Sequence, residues 1–286
     1  MKNTKERLIV MTEKIKLTDK EIGFAKIPES LILDTEIHRK AIMVYAFLQL
    51  RKGADSRLTF SVEDLIRELG YVPKEVKGAI NDQVKDVLRY FITQNYLTII
   101  SPNVKKITSR KYITYRFNTD CVNELFEQEK FAIVYQDEFQ ILAKYKSSSI
   151  QKATLFFMFA YLRLMIPRRK SQFVMNNVFA NDEERKKFYP DVYGHYLRDV
   201  SSEISINERT VSKAVKILDE IGLIHSYAMK NYKSKKANHW ISGQTLFCNF
   251  YKREQDMLVA AGSEYYDEEI KNKINLLLGR TTLSVG

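Results

Sequence analysis

The stretch from Val200 to Ile224, VSSEISINERTVSKAVKILDEIGLI, admits few folds. Asn207 reads as an N-cap, because its side-chain oxygen can take a backbone amide of the first turn that has no partner inside the helix. Thr210 then occupies the third helical position. Val211, Ala214, Val215, Leu218 and Ile221 recur at three- and four-residue spacing, which puts them on one face of the helix that follows. Arg209, Ser212, Lys213 and Lys216 fall on its other sides. Gly222 is expected to stop this helix, and Leu223 and Ile224 to open a strand. Ahead of Asn207, Val200, Ile204 and Ile206 supply the inner face of a short helix and a tight turn.

This order of short helix, turn, capped amphipathic helix and strand resembles the helix-turn-helix and first wing strand of winged-helix DNA-binding domains. In such domains the second helix lies in the major groove. The sequence then gives Lys230-Asn231-Tyr232-Lys233-Ser234-Lys235-Lys236, a basic loop between the apolar run ending at Met229 and the one starting at Trp240. A wing would sit there, with Lys230, Lys233, Lys235 and Lys236 over phosphates. The plainer alternatives are an amphipathic helix packed in an ordinary α-helical domain, or a winged helix used only for protein contacts.

The first half of the chain reads similarly. Phe24-Ala25-Lys26-Ile27-Pro28 looks extended, and Ala41 to Leu50 is almost wholly apolar, as a buried helix would be. Ser61 caps a second helix that Gly70 ends. A third is expected from about Glu75 to Gln94, with Ile80, Val84, Val87, Leu88, Phe91 and Ile92 inward. Tyr96 to Ile100 and Tyr112 to Phe117 read as strands around a basic loop carrying Lys105, Lys106, Arg110 and Lys111.

The chain therefore reads as a repeat in its sequence pattern, with Phe131-Ala132-Ile133-Val134 echoing Phe24-Ala25-Lys26-Ile27. Likewise Ala153 to Leu164 echoes Ala41 to Leu50, and Leu218 to Leu223 echoes Phe91 to Tyr96. The second copy is longer, its extra residues falling in the polar stretch 167–192, a surface that would serve a partner if not DNA. The expected fold is mostly α with small β-hairpin wings, an α+β class, as two winged helix-turn-helix domains in tandem. The expected layout is an N-terminal arm at 1–20, a first domain at 21–120, a second at 121–250 and a C-terminal helical tail at 251–286, with the joint around 118 to 130. The tail is expected to pack back on the second domain, with a homodimerising helix as the sharper alternative.

A formal charge of +11 and a pI near 9.3 point to a polyanionic partner, most simply double-stranded DNA. No run approaches the length of a membrane span and the N-terminus lacks the apolar core of a signal peptide, so a cytoplasmic protein with no membrane partner is expected. Cys121 and Cys248 lie far apart, and zinc-ligand spacing is absent, so no metal and no cofactor are expected.

The two copies are expected to differ in role. The exposed face of the second recognition helix is basic or neutral, with Asn207 at its start. Arg209 is its best candidate for a bidentate contact to guanine, and Lys213 for phosphate. The corresponding first-copy helix carries Asp82 and Asp86 among Lys77, Lys85 and Arg89, which weakens its attraction for phosphate. The first copy would then add backbone contacts through its wing, or hold a second subunit.

Tandem winged helices resemble the replication initiators of plasmids and some phages, and more loosely the DnaD-type primosome proteins. The resemblance rests on FAKIP with AIMVYAFLQL, on SVEDLIRELG and on NERTVSKAVKILDEIGLI. It implies replication initiation at repeated origin sites, with a helicase or its loader as partner and Arg209, Ser212 and Lys213 facing bases. A transcriptional regulator of a mobile element and a protein-interaction module are the alternatives. An enzyme is not expected. His195 and Arg198 match the His-x-x-Arg pair of tyrosine recombinases, but no upstream arginine sits in the required setting, and no Gly-rich loop with Lys and Ser/Thr serves nucleotide phosphates.

Overall fold

The computed structural model describes residues 23–34, 38–102, 106–146, 148–166, 192–228, 232–233, 240–241 and 244–249. The expected arm at 1–20, the insertion up to residue 191 and the tail at 251–286 lie outside them. The chain is a mixed α+β protein with small antiparallel sheets. It divides into two compact units, 1–160 and 161–286.

The elements run in a repeated order. The first series is β1 (Phe24–Pro28), α1 (Glu29–Leu33), α2 (Lys40–Arg51), β2 (Arg57–Phe60), α3 (Val62–Glu68), α4 (Ile80–Thr93), β3 (Leu97–Ser101) and β4 (Ile113–Phe117). Helix α5 (Thr119–Gln128) follows. The second series is β5 (Phe131–Tyr135), α6 (Gln136–Lys144), α7 (Lys152–Met165), β6 (Val192–Tyr196), α8 (Leu197–Glu203), α9 (Glu208–Glu220), β7 (Ile224–Ala228) and β10 (Gln244–Asn249). Two short strands, β8 (Tyr232–Lys233) and β9 (Trp240–Ile241), stand between its last two strands. The sheets match as well: β2-β4-β3 in one series and β6-β10-β7 in the other, both antiparallel with the last strand in the centre.

In the first unit, every residue from Ala41 to Leu48 of α2 is buried, so this helix is the axis of the core. Each large apolar side chain so buried contributes on the order of 1.5–3 kcal/mol. Tyr45 joins α2 to the neighbouring elements, its ring 5.8 Å from Phe91, 5.8 Å from Tyr96 and 5.7 Å from Phe117. Gln49 donates to the Tyr45 hydroxyl at 3.0 Å and accepts the backbone N–H of Lys26 at 2.7 Å, tying β1 to the same axis.

Strand β1 pairs antiparallel with β5, with Ala25 opposite Val134, Lys26 opposite Ile133 and Ile27 opposite Ala132. Equivalent strands of the two series thus meet about a local twofold through Lys26 and Ile133. Glu129 reinforces the junction by accepting the N–H and hydroxyl of Ser30 at 3.0 and 2.8 Å. This pairing, with α6 packed on α2, holds residues 131–160 in the first unit. The expected joint at 118 to 130 is instead largely helix α5, and the division between units falls within α7.

Helix α4 begins at Ile80, later than the expected Glu75. Gly78 has φ +76°, a left-handed conformation that breaks a helix, and Asn81 turns its side-chain oxygen back to the N–H of Lys74 at 2.8 Å.

Candidate nucleic-acid interface

In the second unit, α8 and α9 are joined by a tight turn whose geometry follows from its sequence. Val200, Ile204 and Ile206 are buried under it. Ser205 takes φ 50°, so the N–H of Ile206 reaches the carbonyl of Ser201 at 3.1 Å, while the Ser201 hydroxyl donates to the carbonyl of Ile206. Asn207 caps α9 as expected, its side-chain oxygen accepting the N–H of Arg209 at 2.9 Å. Val211, Ala214, Val215 and Leu218 are buried, and Arg209, Ser212, Lys213 and Lys216 are exposed on the other side.

The far end of α9 is equally fixed. Gly222, at φ +71°, lets the N–H of Leu223 return to the carbonyl of Leu218 at 2.9 Å, closing the helix and starting β7. Asp219 accepts the N–H and the hydroxyl of Ser226, at 3.2 and 2.6 Å. The expected β-hairpin after Gly222 is present as β7 and β10, with β8 and β9 between. Lys233 lies in β8, while Lys230, Lys235 and Lys236 lie outside the described residues.

Beneath α8 is a polar cluster that sequence reasoning missed. Glu203 accepts a hydrogen bond from the buried Tyr161 hydroxyl and lies 2.9 Å from His195 Nε2. The Tyr161 bond, and then His195, hold its carboxyl below the ordinary value of 4.5 against the opposing effect of burial. Burial and Glu203 push the Tyr161 hydroxyl up. Only a pairing of residues separated by 42 positions in sequence reveals this site.

His195 therefore lies in β6, ahead of α8, and is taken up by Glu203. Arg198 is exposed, stacks on Tyr196 and meets Asp199 at 3.3 Å. Of His239, Trp240 and Tyr251, which could be imagined in the further roles of a recombinase site, Trp240 lies in β9 and the other two lie outside the described residues.

The first unit presents the same elements with a different outer face. Lys85 and Arg89 on α4 are paired with Asp82 and Asp86 at 3.4 and 2.5 Å. Asp82 also accepts the N–H of Gly78 at 3.0 Å, which with Lys85 lowers its pKa. Arg110, expected to contact DNA from the β3–β4 loop, faces Glu63 at 3.1 Å and Glu75 at 3.6 Å. Its charge is thus locally offset by two carboxylates distant in sequence. Lys106 and Lys111 are exposed, and Lys105 lies outside the described residues.

No known family model matches this chain, and no curated protein matches it. Among the described residues no helix is long and apolar enough to cross a membrane, and no group of three or more His, Cys, Asp and Glu side chains could hold a metal.

Proposed function

We propose that the chain is a tandem winged-helix protein that binds double-stranded DNA sequence-specifically, with α9 in the major groove. The observation that carries this reading is a rigidly ended helix with Arg209, Ser212, Lys213 and Lys216 on its exposed side, followed directly by a β-hairpin. Arg209 is exposed and has no carboxylate partner among the described residues, so its guanidinium is available for the O6 and N7 of a guanine. Lys213, Lys216 and the lysines of residues 230–236 supply phosphate contacts. The first unit, with its self-paired α4, adds backbone contacts through Lys106 and Lys111.

The resemblance of this tandem order to replication initiators supports a role in starting replication of a plasmid or phage at repeated sites. Helicase or its loader would be the protein partner. Fluorescence anisotropy with sites selected from random duplexes tests the DNA reading. Arg209→Ala should relax base preference, and Lys213→Ala should lower affinity for all duplexes and flatten the salt dependence. Unchanged affinity in both would remove α9 as the reading helix. The replication role is tested by a plasmid carrying only this gene and its flanking DNA, whose failure to replicate would leave a regulator of transcription.

A further inference from the structure

Within the first unit, the end of α2, α3 and α6 enclose a cleft of about 700 Å³, remote in sequence from α9. This volume lies in the range of small-molecule sites, roughly 300–1,000 Å³. Its floor is apolar: Phe47, Leu50 and Phe139, with the two rings 6.4 Å apart. Gln136 and Gln140, one turn apart on α6, add amides that both donate and accept.

The rim is cationic. Arg51 is steadied by Glu68 at 2.9 Å, and Arg67 by Glu63 and Asp64 at 3.0 Å each. Glu68 is the single carboxylate among the lining residues. Lys144 and Lys146 are exposed, with no carboxylate partner among the described residues. Lys152 completes the wall, its ammonium donating to the carbonyls of Gly70 and Ala143 and lying 4.9 Å from the centre of the Tyr71 ring. Burial, and then Lys146, lower its pKa, as expected where cations crowd a desolvated place.

An apolar aromatic floor, two amides and a rim with two carboxylate-free lysines, Lys144 and Lys146, complement a molecule with a flat heteroaromatic body and several negative charges. We propose that this cleft binds a nucleoside triphosphate, its base over Phe47 and Phe139 and its phosphates at Lys144 and Lys146. The site is independent of the reading given to α9. Arg51 and Arg67 already have carboxylate partners, so the two lysines provide most of the attraction.

Isothermal titration of the full chain at low salt with ATP, GTP, CTP, UTP and tripolyphosphate tests this. At least one nucleotide should bind at submillimolar concentration, and tripolyphosphate, which cannot cover the apolar floor, about tenfold more weakly. Reversing both charges with Lys144→Glu and Lys146→Glu, exposed positions outside the core, should weaken nucleotide binding about tenfold or more while circular dichroism is unchanged. Arg209→Ala should leave it unaltered. No nucleotide binding, equal affinity for tripolyphosphate, indifference to the double reversal, or loss with Arg209→Ala would each overturn the proposal.

Discussion

Helices α4 and α9 occupy the same place in the same order of elements, and they turn matching faces inward. Val84, Val87, Leu88 and Phe91 are buried on one, and Val211, Ala214, Val215 and Leu218 on the other. Their outer faces differ. On α4 Lys85 and Arg89 are each matched by an aspartate three residues before, whereas the start of α9 carries an exposed Arg209 with no carboxylate partner among the described residues. Their beginnings differ too: α9 has a side-chain cap and α4, starting from Ala79, has none. Packing thus dictates the inner half of such a helix, and leaves the outer half open to a task of its own.

The largest expected effect tests whether the turns before these helices are equivalent. Gly70 and Ser205 both end the preceding helix in a left-handed conformation, but a Cβ at Gly70 would overlap the carbonyl of Ala143. Gly70→Ala should cost about 3 kcal/mol or more in urea unfolding, and Ser205→Ala under about 1 kcal/mol. Equal costs would mean that backbone crowding does not distinguish the two turns.

Next in size, Arg209→Ala should lower affinity for a selected duplex by ten- to a hundredfold, the equivalent of about 1–3 kcal/mol. Arg89→Ala, measured in the same anisotropy titration, should change it less than about twofold. A comparable loss from both would make the first unit a second reader.

Capping gives a smaller contrast. Asn207→Ala should destabilise by about 1 kcal/mol, and Ala79→Asn should stabilise by up to about that amount, both read from urea midpoints. A neutral Ala79→Asn would show that the backbone before α4 cannot present a cap.

The smallest effect concerns acid. Glu203 has a folded-state pKa below its ordinary value, so its contribution is fully present above about pH 4.5 and is lost as pH falls through the lower folded value. The Tm gap between the protein and Glu203→Gln should therefore shrink between pH 6 and pH 3. A gap that does not change with pH would make the network one of shape alone.

The amphipathic helices were legible because a buried stripe imposes its spacing on the sequence; Asn207, Gly222 and Ser61 marked their ends correctly. Strands β2 and β6 were not foreseen. RLTF is four residues with every second one exposed, and VYGHY contains a glycine and a histidine, so neither has a run long enough to read. Arg110 looked available because nothing in a linear sequence brings Glu63 and Glu75 beside it. The same blindness hid the meeting of Tyr161, His195 and Glu203. Short-range pattern shows which side of an element is apolar, and cannot show which distant charge will stand opposite.

The pairing of β1 with β5 has a consequence for how the molecule is made. When residue 120 has just left the ribosomal tunnel, α2 and its surrounding aromatics are outside, while the strand that lies beside residues 24–28 is still enclosed. The same holds for the Ala143 backbone that meets Gly70 and for the Lys152 ammonium that holds both. The nascent amino-terminal half must wait, with one strand edge bare, until its later-born neighbour emerges.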